Sequence, residues 1–321
     1  MGSETLVVRR TRRALSEKRC VETEGNHIIL VRHLAPNATR RALRLHALAE
    51  AGGVPVQKRQ ALQSSFTLRP FGWWHALRFE VGQTWHQARP DPVATRRLAM
   101  GLARLHVLQP PGGLLTGKRP GVLERAVIER STTAIQNSSR LSAEERSALL
   151  NFVAREAGRL APAEGYGLVH GDLHGLNIIV SPRGQIYFID TESMATGLPL
   201  LEFAHALLNL FGKRNAPLRP VFVRNYLLRL SPAARAMWRQ NAPALLMYAR
   251  LVMAWRRQRR SRVLKRRGDH SGAAEAAHYY ELFLADALVH LHRLRRAAEK
   301  RAMSPELGSH ATMRKSPATG A

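Results

Sequence analysis

Short β-type runs dominate the first quarter of the chain, and helical spacing dominates the rest. Leu6 to Arg13, Arg19 to Thr23 and His27 to His33 read as strands, the last two joined by the tight-turn sequence Glu24-Gly25-Asn26. Ala38 to Ala51 repeats apolar residues at helical intervals (Leu43, Ala47, Leu48, Ala51) and stops at Gly52-Gly53, after which Val54-Pro55-Val56 restarts the chain as an extended segment. Ala61 to Pro70 and Trp74 to Val81 read as a second strand pair around Phe71-Gly72-Trp73. From there the spacing predicts helices over Pro92 to Val107, with Leu98, Leu102 and Leu105 on one face, and, after the linker Pro110 to Gly113, over Pro120 to Gln136 and Ser142 to Leu160. Ser142 and Glu145 form a capping box at the start of the last. Two strands, Asn177 to Val180 and Gln185 to Asp190, flank the turn Ser181-Pro182-Arg183-Gly184. Further helices are expected over Leu218 to Leu230, Pro232 to Asn241, Ala244 to Arg267 and Ala273 to Ala302. Residues 303 to 321 carry no period and read as a disordered tail. The expected class is α+β, a small antiparallel sheet followed by helices, with no internal repeat.

Composition adds compartment and charge. A 321-residue chain with 45% hydrophobic residues can bury one substantial core or two lobes sharing a cleft. Cys20 is the single cysteine, which excludes an intrachain disulfide and fits a reducing interior. No apolar run reaches a membrane span, since Gly197 to Gly212 is broken by Glu202 and His205, and Pro243 to Trp255 by Arg250. The arginines at 9, 10, 12 and 13 are not followed by a signal-peptide apolar segment, so a cytoplasmic protein is expected. Fifty Lys and Arg against 23 Asp and Glu give a formal charge of +27, a field that attracts phosphate-rich or acidic-sugar partners. No motif for specific nucleic-acid recognition accompanies it.

Candidate chemistry concentrates in residues 169 to 193. A hairpin brings its outer ends together, so Asp172, Asn177 and Asp190 can converge on one small volume. Phosphoryl transfer from a nucleotide needs such a set: one carboxylate to orient and deprotonate an attacking hydroxyl, and two oxygen ligands for the magnesium that carries the phosphates. A surface hairpin with merely solvated carboxylates is the alternative.

The order His-Gly-Asp-x-x-x-x-Asn, then Ile-Asp-x-Glu, resembles the aminoglycoside phosphotransferase and choline kinase-like family, relatives of the protein kinases. The resemblance implies a two-lobed protein kinase-like fold: a sheet-containing N-lobe over residues 1–82 and a helical C-lobe over 83–302. It implies ATP and Mg²⁺ as cofactors, Asp172 as catalytic base, Asn177 and Asp190 as metal ligands, and Glu192 as a further acidic position reaching metal through water. Arg32, on the third strand, would face the α and β phosphates, and Phe79, Glu80 and Val81, before Gly82, are similar to the adenine-binding hinge. His106, in Leu-Ala-x-Leu-His, reads as a structural residue. Gly197 to Ala204 is similar to the family's Gly-x-Pro-x-x-Asp-hydrophobic-Ala, with Glu202 where Asp is usual, a carboxylate that would brace the catalytic-loop backbone. His170 and His174 belong to the same supporting class.

Two features depart from the family. The stretch Arg13 to Lys18 between the first strands holds no glycine, leaving Ser16 as the candidate phosphate cap, with an ordinary turn as the alternative. The helix offers Ala42 among Arg40, Arg41 and Arg44 where a Glu should pair with the strand cation, and Glu50 comes about two turns later. These departures keep a non-catalytic kinase-like binding protein in view. The implied acceptor is a small hydroxylated molecule, and the charge favours an anionic sugar or glycolipid, as for a lipopolysaccharide-core or other cell-envelope sugar kinase at the inner membrane face. Arg256 to Arg267, eight basic residues in twelve with Trp255 at the join to an apolar run, reads as a peripheral contact with anionic membrane or as a solvated face.

Overall fold

The computed structural model describes residues 9–12, 16–23, 26–33, 36–60, 73–78, 80–109, 121–160 and 166–302. The chain divides into two units: Met1–Val127 with Glu156–Ala249, and Ile128–Arg155 with the chain from Arg250 onward.

The first unit opens with an antiparallel sheet. β1 (Arg9–Arg12), β2 (Ser16–Thr23), β3 (Asn26–His33) and β5 (Trp73–Arg78) pair in that order, with β4 (Arg59–Gln60) on the far side of β5. Register runs from Ser16↔His33 to Thr23↔Asn26, so β2 begins earlier than its sequence pattern indicates. β5 ends at Arg78 rather than Val81, and the expected strand over residues 61–70 lies outside the described residues. α1 (Pro36–Ala51) follows β3, and the extended segment after it bridges Val56 to Phe188 in parallel.

β6 (Gln83–Thr84), β8 (Ile178–Val180) and β9 (Ile186–Phe188) make a second sheet, and β7 (Gly167–Val169) pairs with β10 (Ala195–Gly197). Under them lies α2 (Pro92–Val107), which starts where Asp91 accepts the Ala94 N–H at 2.6 Å and buries Leu98, Leu102 and Leu105 completely. α5 (Pro199–Leu210) and α6 (Arg219–Leu227) complete this core around stacked rings, Phe203 lying 3.8 Å from Tyr226. A 3₁₀ turn, Lys213–Leu218, precedes α6 because Pro217 and Pro220 withhold two amide donors.

α3 (Val122–Gln136) leads to α4 (Ala143–Arg155), where Ser142 and Glu145 exchange backbone and side-chain bonds at 2.8 and 3.1 Å as a capping box should. α4 stops at Arg155 and tightens into a 3₁₀ turn, Ala157–Leu160, short of the single helix the spacing predicts. Pro232 to Arg267 is not two helices: α7 (Pro232–Arg266) runs through Pro243 without a break, and α8 (His270–Ala302) follows. In the second unit Tyr280 donates to the Ala134 carbonyl at 2.8 Å. There Trp255 is half-buried and clasped by Arg130 and Arg259, with guanidinium carbons 4.9 and 5.7 Å from its ring, so it is not a free interfacial anchor. No helix among the described residues is long and apolar enough to cross a membrane. The expected tail, 303–321, lies outside the described residues.

Candidate active site

β7 delivers the chain to His170, and the loop that follows is held from α5. Glu202 is 7% exposed, and its carboxylate accepts the His170 N–H at 2.8 Å and the Gly171 N–H at 2.7 Å. His106 approaches the same carboxylate through Nε2 at 3.0 Å. A carboxylate only accepts, so Nε2 carries a proton, and Nδ1 meets the Tyr226 hydroxyl at 2.6 Å. Burial would raise the Glu202 pKa, but the hydrogen bond and charge of His106, then the charge and backbone N–H of His170, hold it down at about 2. Gly171 is required where it stands. Its φ is +80°, and a Cβ there would come within 2.2 Å of the Ser193 carbonyl oxygen. The His170 ring donates from Nε2 to the Ile189 carbonyl at 2.9 Å, clamping the loop to the strand end opposite.

Leu173 is buried beneath the loop while the Asp172 side chain stays 36% exposed. The Asn177 amide donates to the Asp172 carbonyl at 2.9 Å, which fixes the amide plane and leaves Oδ1 for another partner. Antiparallel pairing of Ile178 with Phe188 and the bond from the Ile189 N–H to the Asn177 carbonyl set Asp190 one residue beyond the position facing Asn177. Asp190 is 8% exposed and Asn177 3%. Asp190 has φ +62°, the only left-handed non-glycine backbone among the described residues, a conformation of the kind held at functional sites by its surroundings. Glu192 follows in the 3₁₀ turn Thr191–Ser193. The donors offered here are amide and carboxylate oxygens, which suit a hard cation such as Mg²⁺.

His174 caps the loop turn, its Nδ1 accepting the Leu176 N–H at 3.3 Å, and turns Nε2 toward Asp172 at 3.7 Å, beyond hydrogen-bond reach. In the first sheet Arg32 lies on β3 opposite Trp74, and Ser16 is a paired strand residue rather than a loop residue, because β2 starts there. Phe79 lies outside the described residues, Glu80 is half-buried and Val81 is 65% exposed. Gly82 presses against β8, where a Cβ would meet the Val180 carbonyl at 2.4 Å. Glu50 points to Arg59 at 3.3 Å.

Two histidines that the sequence reading did not single out belong to this neighbourhood. His46 of α1 is 3% exposed and meets the Thr191 hydroxyl at 2.8 Å through Nδ1. The His86 ring lies against Gly175, and burial, then the nearby His174, lower its pKa. Each contact joins residues far apart in sequence, which no local spacing encodes. A lone histidine on the apolar face of α1 is the one clue His46 gave.

The family described as "Phosphotransferase enzyme family" matches residues 3–243. Among solved structures, a microcompartment-associated aminopropanol kinase superposes with a TM-score of 0.64 at 20% identity, covering 91% of this chain and 94% of its own. A putative aminoglycoside phosphotransferase from Ralstonia eutropha gives 0.63 at 16% identity, with the same coverage of 91% and 94%. A spectinomycin phosphotransferase in complex with ADP and spectinomycin gives 0.58 at 12%, covering 88% and 92%. The shared fold is the kinase-like one, a sheet-bearing N-lobe and a helical C-lobe. No curated protein matches the chain in sequence.

Proposed function

The chain belongs to the phosphotransferase enzyme family, and from that premise we propose that it moves the γ-phosphoryl group of ATP to a hydroxyl of a small-molecule acceptor. The carrying observation is the division of exposure: Asp172 reaches solvent on the loop that Glu202 braces, while Asn177 of that loop and Asp190, just beyond β9, are buried. Asp172 orients the acceptor hydroxyl and takes its proton as the oxygen bonds to the γ phosphorus and the bond to the β–γ bridging oxygen breaks. Asn177 Oδ1 and the Asp190 carboxylate would hold Mg²⁺, and Glu192 would reach it through water. When bound, the ion neutralises charge on the phosphate oxygens. Arg32 adds charge from the sheet.

Thermal unfolding with and without Mg-ADP tests the assignment. Ligand at about 100 times its dissociation constant should add about 2.7 kcal/mol to wild type. Asp190→Asn, which keeps the left-handed backbone accessible, should abolish that gain. Asp172→Asn should keep it yet lose turnover by roughly a hundredfold or more. If wild type ignores Mg-ADP, the fold serves as a binding module instead.

For the acceptor we infer an anionic hydroxyl compound, of the acidic-sugar, sugar-phosphate or glycolipid kind. From Phe203 to Gly268 the sequence contains no Asp or Glu and 16 Lys or Arg, so beyond Glu202, which is engaged with the His170 and Gly171 backbone, α5 to α7 offer a cationic acceptor no carboxylate. Arg214, on the turn before α6, donates to the His86 carbonyl at 3.5 Å, beside the loop that bears Asp172. A membrane-surface acceptor is favoured by one further observation. On α8 of the second unit Tyr279, Leu282 and Val289 are exposed at helical spacing, with Arg257 over the Tyr279 ring at 5.1 Å.

A further inference from the structure

Asp190 is held in a backbone conformation that a non-glycine residue leaves unless its neighbours prevent it. Several of those restraints come from the hairpin and the loop: the Ile189 N–H on the Asn177 carbonyl, His170 on the Ile189 carbonyl, and the Met194 N–H on the Thr191 carbonyl. The His46–Thr191 bond is different in origin. It reaches the residue after Asp190 from α1, 145 positions earlier in the chain, and both partners are buried, at 3% and 4% exposure. Burying a ring nitrogen and a hydroxyl is unfavourable unless each finds a partner, and His46 Nδ1 and the Thr191 hydroxyl supply one another's.

α1 has no carboxylate in position to link it to the nucleotide side. Its single acidic residue, Glu50, is engaged with Arg59. We infer that His46 is a positioning residue for the metal side of the site, its bond to Thr191 tying α1 to the turn that carries Asp190 and Glu192. The inference rests on the phosphotransferase reading and deepens it, because it names what holds the magnesium ligands in place. Imidazole suits the task for an electrostatic reason as well. Burial, the largest influence, lowers the His46 pKa, with Arg59 adding to it and Glu50 and the Gln57 backbone opposing. The ring is therefore neutral near pH 7 and restrains the turn without setting a second cation beside a metal, as Lys or Arg would.

The test is a Mg²⁺ titration of ADP binding, followed by calorimetry and by thermal shift, on wild type, His46→Leu, His46→Asn, Thr191→Val and the His46→Leu/Thr191→Val double variant. His46→Leu and Thr191→Val should each raise the Mg²⁺ needed for half-maximal ADP binding roughly tenfold. The double variant should be no worse than the weaker single, since both remove one bond. His46→Asn, whose amide stands where Nδ1 stood, should recover most of the affinity. Turnover should fall with little change in the acceptor KM. Additive losses, or a metal requirement unchanged in Thr191→Val, would overturn the inference while leaving the phosphotransferase reading intact. Wild type that binds no Mg-ADP would sink both, and is distinguished by that control alone. Thr191→Val loses only a hydroxyl and keeps the test decisive if His46→Leu fails to fold.

Discussion

A carboxylate with almost no water around it stays charged only if its neighbours supply what water would have supplied. Glu202 meets that condition with two backbone N–H groups and an imidazole N–H, and its pKa sits at about 2 against an ordinary 4.5. The folded pKa is the lower one, so this stabilisation is complete above pH 4.5 and is lost as pH falls from there through about 2, a contribution of about 3 kcal/mol. Urea midpoints measured from neutrality down to about pH 3 should show that acid limb in wild type. Glu202→Gln should be less stable by about 3 kcal/mol at pH 7, because its amide turns a donor toward donors, and its acid limb should be correspondingly shallower. The same residues show how far sequence carries. Asp172, Asn177 and Asp190 were legible because a fixed spacing links each to one hairpin, and Glu202 only through the resemblance of Gly197 to Ala204 to a family motif. The partners His106 offers to Glu202 and Tyr226, and His46 to Thr191, were not, because they exist only once distant segments are packed.

Elements with a long period were read nearly to the residue: α2 spans Pro92–Val107, as its spacing predicts. β6, β7 and β10 escaped because two or three residues cannot establish an alternation. Pro243 misled in the opposite direction. A proline is a reasonable helix boundary, yet α7 continues through it, since the buried Leu245, Met247, Tyr248, Leu251 and Val252 beyond it pack only if the helical spacing persists. That packing overrides a local cost of up to about 3 kcal/mol. Pro243→Ala should therefore stabilise the protein, by about 1 to 3 kcal/mol in guanidinium unfolding, as the amide regains a helical hydrogen bond. A loss of stability would mean that the core depends on a bend at this point.

At the scale of the whole molecule a charge of +27 makes ionic strength a variable of function. Salt screens self-repulsion, so raising NaCl from about 0.05 to 0.5 M, which shortens the Debye length about threefold, should raise the melting temperature. Over the same range the KM for a sugar phosphate should rise, and binding to phosphatidylglycerol vesicles should vanish, while an amino-alcohol acceptor should respond little. A wild-type preference for the amino alcohol at low salt would contradict the anionic acceptor. The left-handed backbone at Asp190 has a consequence for lineages rather than for molecules. An aspartate codon is one base from Asn, Gly, His, Tyr, Ala, Val and Glu, and of these Asn and Gly accept that backbone most readily, though neither is charged. Mutational drift at this codon thus has an open road to descendants that keep the fold and lose the carboxylate. Silent, well-folded cousins of this enzyme are one nucleotide away.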